Sequence, residues 1–303
     1  MGRMNEGIGE IIERGGEARG ARRSLAERVA AMLGELLGDD LNGAIDRIEI
    51  EENEVGVDPF GFDRETGRAV LAFAALLHRG YFRSVVRGVE NIPRGRALIV
   101  ANHSGQLPLD GMMIAASMML DADPPRLPRA MVERWTVELP FVSALFPRVG
   151  QVLGSPENAR RLLERGESLI VFPEGARGIS KSYRERYQLT EFGLGFMRLA
   201  LQTRTPIVPV SVVGAEEQYI SIANARWLAR LFGMPAFPII PQLLIGAILP
   251  LPVRYRIRYG RPLYFEGDPD ADDRIIEAKV MSVRERIEAQ LAKDLDERRG
   301  LFF

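Results

Sequence analysis

The chain has 303 residues, no cysteine and two histidines, and these scarcities exclude more chemistry than its common residues suggest. Without cysteine there is no disulfide, no thiolate nucleophile and no cysteine-built zinc site, which is compatible with a reducing cytoplasm. With only His78 and His103, a multi-histidine centre cannot be assembled, and no metal is expected. Lysine is nearly as rare, limited to Lys181, Lys279 and Lys293. Charge of one sign is not in excess either: the formal net charge is −1, which provides no basic field for a phosphate backbone, so nucleic acid is not an expected partner. The amino terminus, "MGRMNEGIGEIIERGG", lacks the apolar core of a signal peptide, and Glu6 interrupts a myristoylation pattern.

What is present describes a packed protein. The apolar fraction of 46% and charged fraction of 27% are those of a globular chain, and the length suits one large domain with or without a helical appendage. From Arg22 to about Leu37, apolar residues recur at helical spacing, and "TGRAVLAFAALLHRGYF" reads as a second, more apolar helix. The acidic stretch between them, "DRIEIEENEVGVDPFGFD", reads as a linker or exposed turn region. Residues 1–80 are therefore expected to form an N-terminal helical segment able to associate with a membrane. From residue 81 onward, short apolar runs alternate with helical segments, the signature of an α/β domain over 81–303, expected to hold a mixed central sheet flanked by helices.

Strands are expected at "RALIVAN", "SLIVFP", "PIVPVSVVG" and "VRYRIRYG", and helices at "SPENARRLLERGE", capped by Ser155, and "LTEFGLGFMRLALQ". A last helix carries the stripe Ile276, Val280, Val283, Ile287 and Leu291. The 23 residues between Arg230 and Arg254 are uncharged, yet Pro235, Pro238, Pro241, Pro250 and Pro252 argue against a straight transmembrane helix. That segment either dips into one leaflet or packs as buried loop and strand.

Chemistry concentrates in two stretches. In "IVANHSGQLPLDG", a buried strand delivers Asn102 and His103 into a turn, and Asp110 follows. On a continuous helix His103 and Asp110 would stand about 10 Å apart, so they pair only if the loop folds back, as Gly105 and Pro108 would favour. A paired Asp110 would fix the imidazole tautomer and leave the other ring nitrogen to take a proton. The alternative makes Asp110 a helix N-cap and His103 an ordinary loop residue. In "SLIVFPEGARGISK", a second strand runs into Glu174, Gly175, Arg177 and Lys181, an anion-binding cluster at the strand end where open α/β sheets place ligands. Arg177 suits bidentate phosphate recognition and Lys181 a more mobile point charge, although a solvated charged turn has the same composition.

Together, "NHSGQLPLD", "FPEGAR" and "IVPV" resemble, in order, the motifs of the glycerolipid or lysophospholipid acyltransferase family, 1-acylglycerol-3-phosphate acyltransferases among them. The resemblance covers roughly residues 85 to 265. It implies a general base at His103 oriented by Asp110, and an acceptor site at Glu174 and Arg177, with Arg148 in "FPRVGQVLG" as a further acceptor-binding candidate. It also implies transfer of a fatty acyl group from acyl-CoA or acyl carrier protein to a lipid hydroxyl, with no cofactor beyond the donor, at the cytoplasmic face of a membrane as a peripheral or monotopic protein. Six residues separate His103 from Asp110 rather than the family's usual four, a spacing similar to mono- and diacylglycerol acyltransferase-like branches, which keeps a neutral acceptor open. A lipid-binding protein without turnover and a hydrolase are the readings from other classes. Met112, Met113, Met118 and Met119 could line an acyl groove or simply fill the core, and His78 is expected to cap its helix or face an interface.

Overall fold

The computed structural model describes residues 24–54, 56–103, 109–132, 142–231, 237–244 and 249–302. Ser104, Gly105, Pro108 and Pro235 lie outside them, as does the amino-terminal stretch. Among the described residues nine strands are formed: β1 (Val85–Arg87), β2 (Ala97–Ala101), β3 (Pro128–Val132), β4 (Gln151–Leu153), β5 (Ser168–Val171), β6 (Ile207–Val213), β7 (Ala223–Asn224), β8 (Pro238–Ile239) and β9 (Arg256–Tyr259). Seven of them make one sheet in the order β1-β9-β6-β2-β5-β3-β4, and β7 pairs with β8 separately. From β6 to β4 the strands are parallel; β9 runs antiparallel to β6, and β1 follows β9. The sheet is mixed and helix-flanked, as the alternation of apolar runs predicts.

The helices are α1 (Leu25–Leu37), α2 (Leu41–Asp46), α3 (Arg64–Ala75), α4 (Leu109–Leu120), α5 (Val142–Arg148), α6 (Pro156–Glu164), α7 (Ala176–Ile179), α8 (Gly195–Thr203), α9 (Arg226–Leu231), α10 (Pro241–Leu244) and α11 (Asp273–Glu297). Local chemistry sets their ends: Ser24 and Glu27 close a capping box on α1, and the Ser155 side chain caps α6. Strands β2 and β6 are buried throughout and, apart from Ser211, which donates to Asp294, apolar, because both faces of the sheet are covered. Ile99 and Ala101 pack beside Met113, Ile114 and Met118 of α4, while Leu98 and Val100 face Leu162, Met197, Ile276 and Ile287 on the other side. Three of the four methionines singled out are thus core residues.

The N-terminal helices pack against this body, with Ile45, Phe62 and Leu71 beside Met119 and Leu127. Several expectations need correction here. The acidic stretch is not merely exposed: Asp58 and Phe62 are buried, and Asp58 pairs with the buried Arg129 of β3. The second helix continues past α3 as a π-helical turn over Leu76–Tyr81. The segment before α8 is not helical until Gly195. The described residues of the uncharged proline-rich segment include β8, α10 and coil, and among the described residues no helix is long and apolar enough to cross a membrane.

Candidate active site

Because β2 and β5 are parallel neighbours, their carboxyl ends are adjacent, and this alone brings the two motif loops together. The register runs from Ala97 opposite Ser168 to Val100 opposite Val171. Continued past the strands, it sets His103 opposite Glu174, and there the Glu174 side chain takes over the ladder: the His103 backbone N–H donates to Oε1 at 3.0 Å. On the other flank, Asn102 extends the pairing with β6. Its amide donates to the carbonyl of Val212 at 3.1 Å and accepts from the Val212 N–H at 2.8 Å. The backbone carrying His103 is therefore gripped from both sides beyond the end of its strand.

The two side chains do meet. His103 Nδ1 lies 2.8 Å from Asp110 Oδ2; the Asp110 side chain is fully buried and that of His103 is 15% exposed. Asp110 occupies the first turn of α4, where the helix N-terminus also favours a negative charge. A carboxylate accepting from Nδ1–H leaves Nε2 as the nitrogen that carries a lone pair. Phe172 stacks on the imidazole with ring centroids 4.1 Å apart, fixing the ring plane. Gly178 closes the floor, since a Cβ there would come within 2.8 Å of the His103 Cβ and 3.0 Å of the Glu174 Cβ.

Glu174 is buried and fully engaged. Beyond the His103 amide, its Oε2 accepts from the Thr190 N–H at 2.8 Å and hydroxyl at 3.0 Å and lies 3.4 Å from Lys181 Nζ. Lys181 is likewise buried rather than a mobile surface charge, held between Glu174 and Glu216, whose Oε1 is 3.2 Å away. Burial pushes the Glu216 carboxyl up to about 7 against the opposing pull of Lys181. Gly175 opens the turn into α7, and Arg177 stands exposed on that turn, its Nη1 donating to Glu191 at 2.8 Å. Arg148 is not brought to this site. It ends α5 ahead of β4, on the amino-terminal side of a strand parallel to β2, whereas His103 follows the carboxyl end of β2.

Asn102, Phe172, Gly178, Thr190 and Glu216 have no role in the sequence reading. Asn102 and Phe172 nonetheless lie inside the two motif stretches, and Glu216, like Glu174, follows the end of a buried strand.

A histidine–aspartate pair at the mouth of the sheet, with an arginine on the adjacent loop, has the geometry that base-assisted attack by a hydroxyl requires. The Acyltransferase family model matches residues 83–213, from just before β1 to the end of β6. An uncharacterized protein of Mycobacterium leprae is 38% identical over 288 residues, covering 92% of this chain and 76% of that protein. A probable 1-acyl-sn-glycerol-3-phosphate acyltransferase of Mycoplasma pneumoniae is 31% identical over 139 residues, covering 43% of this chain and 49% of that one. Among solved structures, the 1-acyl-sn-glycerophosphate acyltransferase PlsC of Thermotoga maritima shares the fold at a TM-score of 0.50 and 17% identity, covering 91% of this chain and 97% of that chain. The chain belongs to the glycerolipid acyltransferase family, and its reaction class is O-acyl transfer.

Proposed function

We propose that the chain moves a fatty acyl group from acyl-CoA or acyl carrier protein to the hydroxyl of a lysophospholipid such as 1-acylglycerol-3-phosphate, working as a peripheral or monotopic protein at the cytoplasmic face of a membrane. The observation that carries this reading is the 2.8 Å contact between His103 Nδ1 and the buried Asp110 at the open end of the sheet. Nε2 takes the acceptor's hydroxyl proton as its oxygen attacks the thioester carbonyl. The C–O bond forms, the C–S bond breaks, and the imidazolium returns the proton to the departing thiolate. Arg177 supplies the acceptor's phosphate contact. Its pair with Glu191 is exposed on both sides, at 57% and 78%, so a phosphate can displace it at small cost. The name of the Mycoplasma relative supports a phosphorylated acceptor.

The test is product analysis with both donors and an acceptor panel of lysophosphatidic acid, monoacylglycerol, diacylglycerol and a long-chain alcohol, beside Arg177→Ala. With lysophosphatidic acid, Arg177→Ala should raise the acceptor KM by about tenfold, the worth of one charged hydrogen bond. An unchanged KM removes the phosphate-binding role, turnover of the neutral acceptors alone replaces the acceptor, and release of free fatty acid without acceptor turns the enzyme into a hydrolase. No turnover with any combination leaves a lipid-binding protein.

A further inference from the structure

Strand β6 ends and β9 begins at the same end of the sheet, because Val213 pairs with Arg256 across the antiparallel ladder. Continued from Ala101 opposite Val210, the β2–β6 register puts His103 level with those last residues of β6. Everything between them, residues 214–255, is one excursion that leaves and re-enters the sheet beside the active site. Its base is tightly tied. A Cβ on Gly214 would come within 2.8 Å of the Arg254 carbonyl, the Tyr255 hydroxyl donates to Gln218 at 2.7 Å, and the Leu251 N–H donates to the Gln218 carbonyl at 2.8 Å.

Its outer part carries large apolar side chains in water. Trp227 is 69% exposed, Leu249 74% and Ile222 61%, and Ile222 donates its N–H to the carbonyl of Ile239, also exposed. The charge pattern here departs from that of the whole chain. Beyond Glu216 and Glu217 at its base, the excursion has no aspartate or glutamate from Gln218 to Tyr255, yet it has three arginines, at 226, 230 and 254, in a protein of net charge −1. Exposed tryptophan and aliphatic side chains on a basic, acid-free segment are the composition that seats in the headgroup layer of an anionic bilayer.

We propose that this excursion, through Ile222, Trp227, Ile239 and Leu249, is the surface that docks the protein on anionic lipid, setting the open end of β2 against the bilayer. The inference rests on the acyltransferase reading for its purpose and on the exposure and charge pattern for its chemistry. A lipid acceptor would then reach His103 without crossing water.

The full chain is tested by co-sedimentation with vesicles of phosphatidylcholine alone and of phosphatidylcholine mixed with phosphatidylglycerol. Binding to the mixed vesicles should be about tenfold or more tighter and should weaken with salt. Trp227→Ser combined with Leu249→Ser should lower it about tenfold with the thermal unfolding midpoint unchanged. With Trp135→Phe, Trp227 is the remaining tryptophan, and its emission should shift to the blue on mixed vesicles. Unaltered emission there, or equal binding by the double variant, overturns the proposal. So does loss of binding only when the exposed Leu25, Met32 and Leu36 of α1 are made polar, or a dimer in free solution that the Trp227 and Leu249 substitutions dissociate. Sedimentation needs no turnover, so a chain that binds vesicles through this face yet transfers no acyl group overturns the reaction and leaves the surface standing.

Discussion

Helix α4 carries a histidine–aspartate pair at each end, and the two pairs are mirror images in their access to solvent. At its start, Asp110 is fully buried and the His103 ring reaches solvent. Just past its end, it is the His78 ring that is fully buried, 3.0 Å from Asp121, while the carboxylate is 16% exposed. Arg79 ties Asp121 at 2.7 Å and grips Asp39 of the N-terminal layer with two further bonds. Nδ1 of His78 has no hydrogen-bond partner among the described residues. The chemical parts are the same, and access separates their uses. An exposed ring backed by a buried acid can exchange a proton with a substrate; a buried ring backed by a partly exposed acid can only hold elements together.

The largest effects should fall on the exposed ring. His103→Ala should lower kcat by about 10² to 10⁴-fold with the fold intact, the range for losing a positioned general base. His78→Ala should instead cost about 1–3 kcal/mol of stability, by leaving Asp121 short of a buried partner, while turnover per folded molecule stays near the wild-type value. Equal loss of turnover in two well-folded variants would erase the distinction. Next comes Asp110→Asn, expected to lower kcat by at least about 10²-fold because the amide cannot stabilise an imidazolium. Its counterpart, Asp121→Asn, should act on acid stability. Burial pushes the Asp121 carboxyl up, but the bonds to His78 and Arg79 outweigh this and hold it below its ordinary 3.8. A depressed carboxyl stabilises the fold above that value and loses the contribution as pH falls through the folded pKa. The variant's unfolding midpoint should therefore fall less steeply than the wild type's below about pH 4.

A smaller effect on turnover is expected from the floor of the site. Gly178→Ala places a methyl group 2.8 Å from the His103 Cβ and 3.2 Å from its carbonyl, so the backbone must move. About 1–3 kcal/mol of stability should be lost, and a displaced imidazole should lower kcat by about 10 to 10²-fold. Loss of stability without loss of rate would mean that the ring's position is held by Phe172 and Asp110 alone.

The sequence made the centre of this site legible and its support obscure, for a physical reason. Strands β2, β5 and β6 announce themselves because strands buried on both faces read as nearly continuous apolar runs, and their ends then mark His103 and Glu174. Strands β1 and β4, three residues each, send no such signal, and neither does β3, which opens with a proline and carries the buried Arg129, whose charge is offset by Asp58 and Glu167 from distant parts of the chain. The same limit hid the destination of Lys181. A lysine after a glycine turn reads as a surface charge until the fold supplies two buried carboxylates. Spacing alone left the His103–Asp110 contact open, because seven residues can span it or close it, and the fold of the intervening loop decides.

Beneath His103, that pair of carboxylates gives the last and subtlest contrast between the ends of α4. Glu216 faces Lys181 at 3.2 Å, the Tyr187 N–H at 3.1 Å and the repelling charge of Glu174, which in turn holds the His103 amide. Burial raises its carboxyl from 4.5 to about 7, the reverse of the shift at Asp121. The sign of the linkage is reversed too. A raised carboxyl contributes stability that is fully present below about 4.5 and is lost as pH rises through about 7. Glu216→Gln should remove that loss, so the difference in unfolding midpoint between wild type and variant should change across this window and level off above it. Asp121→Asn should leave the window untouched and act only at acid pH. If Glu216→Gln instead shifts the midpoint by the same amount at every pH, the carboxyl does not titrate under the His103–Asp110 pair, and the two ends of α4 differ in access alone.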